Sequence, residues 1–223
     1  MPSAKPQAGR RERRTGWKQN PEAVQANILR VARNVFAKNG LSGARVDEIA
    51  ALTATSKRMI YYYFEDKKGL YRRALEEAYR EVRMKEEALN LEGLDPKEAL
   101  ERLIEFTFDH HRSNPDFIRL VMIENIHHGA YLGASELIRD LNRGAITQLD
   151  RIIERGRAAG LFRADIDPLV VHWQISALSF FNVSNDATFS LIFGDRLSRK
   201  EGQEELKHWV VESVMRNVLA SNP

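Results

Sequence analysis

The sequence predicts an all-α chain, and three observations predict it. Apolar residues recur at three- and four-residue spacing, helix-starting and helix-stopping residues bracket those runs, and no stretch alternates in the way a strand does. With 223 residues, 43% of them hydrophobic, the chain can bury a sizeable core as one large domain or two smaller ones.

Residues 1–19 are rich in Arg, Lys, Ser, Pro and Gly and carry too little apolar surface to fold alone, so they read as a disordered basic arm. Asn20-Pro21 combines an N-cap residue with a proline suited to the first helical position. Val24, Ile28, Val31, Ala32, Val35 and Phe36 follow at helical spacing, and Gly40 is placed to end the helix in a left-handed cap. Val46 to Leu52 predicts a short second helix with Val46, Ile49 and Ala50 inward and Asp47 and Glu48 at its positive end. Thr53-Ala54-Thr55 forms a tight turn, Ser56 caps, and Lys57 to Phe64 makes a third helix of about two turns. Asp66 caps a long fourth helix from Lys67 to about Leu91. Further helices are predicted from Pro96 to His111, Phe117 to His127, Ser135 to Ala159, Pro168 to Val183 and Glu204 to Leu219.

Composition narrows the function. The chain has no cysteine, which removes disulfides, thiolate metal sites and a cysteine nucleophile. No apolar run approaches the roughly 18 to 20 residues of a membrane span, and the start lacks a signal peptide's apolar stretch, so a cytoplasmic protein without a membrane partner is expected. The net charge of +3 is unevenly spread. Residues 1–90 hold 19 Lys and Arg against 11 Asp and Glu, a balance of +8, while the remaining 133 hold 15 against 20, a balance of −5. A polyanion partner for the first part and a different task for the rest follow from that asymmetry.

Two short helices joined by a three- or four-residue turn let the second lie in a DNA major groove while the first braces it. The second one here opens Ser56-Lys57-Arg58, whose side chains and helix-end amides suit base edges and phosphates. Tyr61, Tyr62 and Tyr63 follow at about 100° per residue, so at least one is expected in the core and another free to reach phosphate. Taken alone, a tyrosine-rich helix is more often core.

The stretch GARVDEIAALTATSKRMIYYYFEDKKGL resembles the DNA-binding signature of the TetR family of repressors. The resemblance lies in Val46-x-x-Ile49-Ala50, Ser56-Lys57, Tyr61-x-x-Phe64, Lys67 and Leu70, with Phe36-Ala37-x-x-Gly40 ending the preceding helix. It implies that Ser56, Lys57, Tyr62 and Tyr63 approach DNA, that Lys67 touches phosphate, and that Ile49, Ala50, Ile60, Phe64 and Leu70 are core. The chain departs from the family pattern at Ala44, where Thr often contacts phosphate, at Ala54, where Gly is usual, and at Arg58, where a small residue is common. Arg45 and Arg58 are therefore candidates for contacts peculiar to this protein, and the arm residues Arg10, Arg11, Arg13, Arg14 and Lys18 are accessory candidates.

The resemblance also implies a homodimer on double-stranded operator DNA, with the last two long helices pairing across a two-fold axis. Trp173, Leu178, Phe180, Phe181, Trp209, Val210, Val214 and Val218 suit such an interface, with intramolecular core as the competing reading. An unidentified small-molecule effector is expected in the middle of the chain. Phe106, Phe117, Met122 and Trp173 are candidates for its apolar walls, and His110, Asn125 and His128 for its polar handles. Phe108, Ile126 and Tyr131 are further wall candidates, and His111, Glu124 and His127 further handles. Glu124-x-x-His127 shares a helix face, but His-His neighbours diverge on a helix and no acidic cluster accompanies them, so no metal or other cofactor is expected.

The expected organisation is thus a basic arm over residues 1–19, a three-helix DNA-binding domain with its helix-turn-helix over 20–66, and a larger helical ligand-binding and dimerisation domain over 67–223. An enzyme is not expected, because the chain lacks a phosphate-binding glycine loop, a Gly-x-Ser-x-Gly elbow and a His-Glu-x-x-His pair. A helical protein-binding adaptor would leave Ser56-Lys57-Arg58 without a purpose. Ligand-relieved repression follows from the family resemblance, and an activator would use the same helices.

Overall fold

The computed structural model describes residues 20–220, which form ten α-helices and two short 3-10 turns. Residues 1–19, read above as a basic arm, lie outside the described residues. The first four helices are α1 (Pro21–Gly43), α2 (Val46–Leu52), α3 (Lys57–Phe64) and α4 (Lys67–Glu87). Then follow α5 (Pro96–Ser113), α6 (Pro115–Ile126), α7 (Glu136–Ala158), α8 (Pro168–Ser184), α9 (Asp186–Phe193) and α10 (Lys200–Val218).

The capping residues act as their chemistry predicts. Asn20 Oδ1 accepts from the Ala23 amide at 3.0 Å, Ser56 Oγ from Met59 at 3.1 Å, and Asp66 Oδ1 from Gly69 at 2.7 Å, each satisfying an amide that the helix leaves free. Gly40 has φ 66°, the left-handed geometry that favours glycine. The chain bends there, but helical bonding resumes to Gly43 and the Ala44 amide donates to the Gly40 carbonyl at 3.1 Å.

Three boundaries depart from the sequence reading. Helix α4 stops at Glu87 because Asn90 adopts φ 51°, and buried Leu91 opens a 3-10 turn instead of continuing the helix. Helix α9 was not anticipated: it is eight residues long and almost wholly apolar toward its end, so it shows no amphipathic period. Helix α10 begins at Lys200, before the expected Glu204, and runs through Gly202. A Cβ there would collide with the Arg196 carbonyl, so this glycine permits a close approach and does not end a helix.

Two apolar cores hold the described residues together. The first joins α1 to α4 and also takes Phe117, Ile118 and Leu120 of α6 and Ile138 of α7. The second gathers α5, α7, α8 and α10 around Leu100, Ile104, Ile153 and Val214. Packing therefore crosses the boundary near residue 66 that the sequence suggests, since α6 docks on α1 and α4. Arg33 of α1 clasps this junction, meeting Glu81 of α4 and Asp116 of α6 at 2.6 Å each.

Candidate nucleic-acid interface and ligand cavity

Helices α2 and α3 are joined by a short turn in which Ala54 has φ 50°. A left-handed alanine costs roughly 1–2 kcal/mol, so the turn between α2 and α3 is held by the surrounding packing. The inner faces, Val46, Ile49, Ala50, Ile60 and Phe64, are buried in the first core. Arg45, Ser56, Lys57, Arg58 and Tyr62 are exposed, with Tyr62 77% accessible. Tyr61 is only just exposed, and Tyr63 is half-buried against the core, its ring edge-on to Tyr62 at 5.3 Å. The three tyrosines thus divide between core and solvent, as their angular spacing requires.

Lys57 Nζ meets Asp47 Oδ2 at 3.1 Å, tying α3 to α2. An exposed pair of this kind is worth about 0–1 kcal/mol, so Lys57 can exchange Asp47 for a phosphate at small cost. Lys67, which the family resemblance implies at a phosphate, donates its ammonium within the chain to the carbonyls of Ala44 at 3.0 Å and Ser42 at 3.3 Å. It fastens the α1–α2 junction and leaves the neighbouring, exposed Lys68 as the freer cation.

A cavity of about 330 Å³ lies between α4, α5, α6, α7 and α8. Tyr79, Phe106, Phe117, Phe180 and Trp173 supply aromatic walls. Its polar lining is Arg83 and Glu86 from α4, His110 and His111 from α5, His172 from α8, and the amides of Asn125 and Asn142. Burial holds the His110 imidazole down at about 4, helped by His111 and by the positive charges of Lys85 and Arg83. His111 is also held at about 4, mainly by burial, and its Nδ1–H donates to the Thr107 carbonyl at 2.6 Å. Burial lowers His172 in the same way, with Arg83 again contributing. The same burial raises Glu86, against the pull of Arg83. At neutral pH the three imidazoles are therefore uncharged.

Of the sequence-derived ligand candidates, Phe106, His110, Phe117, Asn125 and Trp173 come together at this cavity. Met122 does not: it borders a separate groove with Pro115, Arg119 and Val183, because it lies on another face of α6. His128 also falls away, exposed in the turn after α6 with φ 56°. Glu124 is not a ligand handle. It is 2% exposed and accepts from Tyr71 Oη at 2.9 Å and from the amides of Tyr131 and Leu132 at 3.1 and 2.9 Å. Among the described residues no three His, Asp or Glu side chains gather as metal ligands. Sequence reasoning missed Arg83, Glu86, Asn142 and His172. Glu86 could have been found, since it continues the inner stripe Leu75, Tyr79, Val82 at helical spacing. Arg83 and Glu86 also line a larger groove of about 840 Å³, with charged walls such as Glu87, Asp140 and Arg151.

An apolar surface is exposed beside the cavity and shares Trp173 with it. Leu169, Val170, Trp173 and Phe181 of α8, Leu191, Ile192 and Phe193 of α9, and Trp209 of α10 are all more than half exposed. Val210, Val214 and Val218, proposed from sequence for the same surface, instead turn inward and belong to the second core, and Phe180 packs against the first.

Comparison with known proteins places both halves. Residues 28–74 match the model for bacterial regulatory proteins of the tetR family, and residues 96–214 match the model for a tetracyclin repressor-like C-terminal domain. The chain is 34% identical over 207 residues to the HTH-type transcriptional repressor NicS of Pseudomonas putida, covering 92% of this chain and 98% of that one. A TetR family transcription regulator from Marinobacter aquaeolei superposes with a TM-score of 0.70 at 18% identity, covering 92% of this chain and all of that one. FadR of Bacillus subtilis, solved in complex with stearoyl-CoA, superposes with a TM-score of 0.65 at 18% identity over 86% of this chain and 98% of that one.

Proposed function

This chain belongs to the TetR family of bacterial transcriptional regulators, and from that premise we propose how its residues divide the work of a ligand-released repressor. It is a DNA-binding transcriptional regulator from a family of repressors, acting on operator DNA as a dimer. Its reading residues are Arg45, Ser56, Lys57, Arg58, Tyr61 and Tyr62, with Tyr63 supporting them from the core edge. The observation that carries this assignment is the exposure of these side chains on one side of a helix pair whose other side is fully buried. Their cations and hydroxyls suit phosphates and guanine edges at the start of a groove-bound helix.

The dimer forms through the exposed apolar surface of α8, α9 and α10, which is too extensive for a solvated face. Residues 67–223 form the ligand-binding and dimerisation part, although α6 packs across the junction. The effector occupies the cavity beside Arg83 and the three histidines. Helix α4 transmits its presence, because its first turn adjoins α3 while Tyr79, Val82, Arg83 and Glu86 line the cavity. A ligand that prefers one disposition of α4 shifts the separation of the two reading heads. A coupling of about 1–3 kcal/mol changes DNA affinity by roughly 5- to 150-fold.

The test is retention of genomic DNA fragments by the purified protein, with sequencing of what is retained, beside a Lys57→Ala, Tyr62→Ala double variant. Recovery of a short palindrome that the variant loses supports the reading. Weak, sequence-independent retention that the variant shares would overturn it.

A further inference from the structure

Helix α9 is an apolar helix that the protomer leaves uncovered. None of its eight residues is buried, and Leu191, Ile192 and Phe193 are 86%, 71% and 70% exposed. It is nevertheless pinned to the body of the chain. The Ser198 hydroxyl that follows it is bonded to Asp186 and Ser190 of α9, while the Ser198 carbonyl accepts from Arg112 of α5 at 2.7 Å. Arg196 meets Glu205 of α10 at 2.6 Å, and Gly202 lets the Arg196–Leu197 backbone approach α10 more closely than a side chain would permit. A contiguous exposed apolar patch is costly in water, so a helix held this firmly with its apolar side outward is built to be covered.

Beside it lies a hole. A cavity of about 190 Å³ opens between α8, α9 and α10, with buried Phe108 and Val210 and exposed Leu178 and Phe181 in its walls. Its polar lining is already satisfied. Asn182 and Gln203 exchange hydrogen bonds at 2.9 and 3.0 Å, the Asn185 amide donates to Ser184 at 2.8 Å, and Asp186 accepts from Ser198. An occupant therefore needs no polar group, and an apolar cavity of about 150 Å³ already admits a benzene ring. Phe189 joins hole and helix: it lines the cavity, and its ring lies 4.8 Å from that of Phe193. Phe181 makes the cavity continuous with the exposed apolar face of α8.

Resting on the reading of this face as the dimer surface, we propose that α9 is a reciprocal knob: Leu191 and Ile192 of one protomer seat in the α8–α9–α10 cavity of a second copy of this chain, whose own α9 returns the contact. A two-fold interface is isologous, so a surface that carries an apolar knob beside an apolar hole complements itself. The contact does more than enlarge the pairing of α8 and α10. Apolar attraction is non-directional, whereas a side chain seated in a close-packed cavity holds one position, so α9 fixes the register of the two protomers and with it the spacing of their reading heads. It also accounts for a pinned apolar helix that buries nothing in the single chain.

Because the chain has no cysteine, introduced thiols report on this contact alone. Affinity-tagged Leu191→Cys protein, which keeps Ile192 to seat the helix, is mixed with untagged Leu178→Cys protein, subunits are exchanged, and disulfides are formed by copper-phenanthroline oxidation. The expected result is a tagged–untagged covalent dimer on a non-reducing gel, formed at least ten-fold faster than when Lys38→Cys, exposed on α1, replaces either variant. Ile192→Glu removes no buried surface from the single chain, so its circular dichroism should match that of the wild type while its dimer dissociation constant rises at least ten-fold in sedimentation equilibrium. Cross-linking no faster than the Lys38→Cys control, or an Ile192→Glu dimer as tight as the wild type, overturns the proposal; dimers would then form through α8 and α10 alone, with the cavity left to a small apolar molecule. Wild-type sedimentation is read first and separately. A monomer there overturns the dimer reading itself, whereas a dimer without the cross-link overturns only the role of α9.

Discussion

Glu124 offers the most direct test of how the reading head is joined to the regulatory helices. Replacing it by Ala removes acceptors from Tyr71 Oη and from the Tyr131 and Leu132 amides at once. Tyr71 is fully buried, packed edge-on against Phe36 at 5.0 Å and Tyr131 at 5.2 Å, so its hydroxyl cannot turn to water. An orphaned buried donor costs about 1–3 kcal/mol. Taking the upper part of that range for Tyr71 and the lower part for the two half-buried amides gives about 4 kcal/mol for Glu124→Ala. Glu124→Gln keeps an oxygen for the amides and should cost about 1 kcal/mol. Tyr71→Phe leaves the carboxylate its two amide donors and should cost about 1–2 kcal/mol. Urea denaturation at fixed protein concentration, followed by circular dichroism, reads all three, and the double variant completes a cycle with a coupling of at least about 1 kcal/mol. A loss below about 1 kcal/mol for Glu124→Ala, or additivity in the cycle, would mean that this buried carboxylate is not what fastens α4 to the α6–α7 turn.

Four further outcomes are expected. Ala54→Gly should stabilise the fold by about 1 kcal/mol, because it relieves the left-handed strain at φ 50°; a thermal melt that moved down would show the turn to be unstrained. Tyr62→Ala should leave the melting temperature unchanged and weaken operator binding roughly ten-fold, about 1.4 kcal/mol, in a mobility-shift titration. His110 and His111 sit at about 4, below the unfolded value near 6.5, so the unfolded chain binds more protons between those values. Their contribution is fully present above about pH 6.5 and is lost as pH falls toward 4, at up to about 1.4 kcal/mol per pH unit for each; His110→Asn should reduce that slope in denaturation curves from pH 7 to 5. Phe181→Glu on the exposed surface of α8 should shift the protein toward monomer in analytical ultracentrifugation and weaken operator binding with it.

The amino-acid sequence determined those features that depend on neighbouring residues. Asn20, Ser56 and Asp66 cap their own helices, and α2, the turn and α3 have the limits that spacing alone predicts, because caps and apolar periodicity act within about one turn of chain. The family resemblance was legible there for the same reason. What only the tertiary structure decided is which side chains meet across long separations. Arg83 and His110 share a cavity because α4 packs beside α5, and Met122 and His128 miss it because α6 turns them elsewhere. Lys67 bonds the carbonyls of residues 42 and 44, and Glu124 those donors of residues 71, 131 and 132, partners that no local pattern names. Nor could periodicity separate Val214, buried in the second core, from Trp209, exposed on the same helix, since both are apolar and only the packing of α10 against its neighbours tells their faces apart.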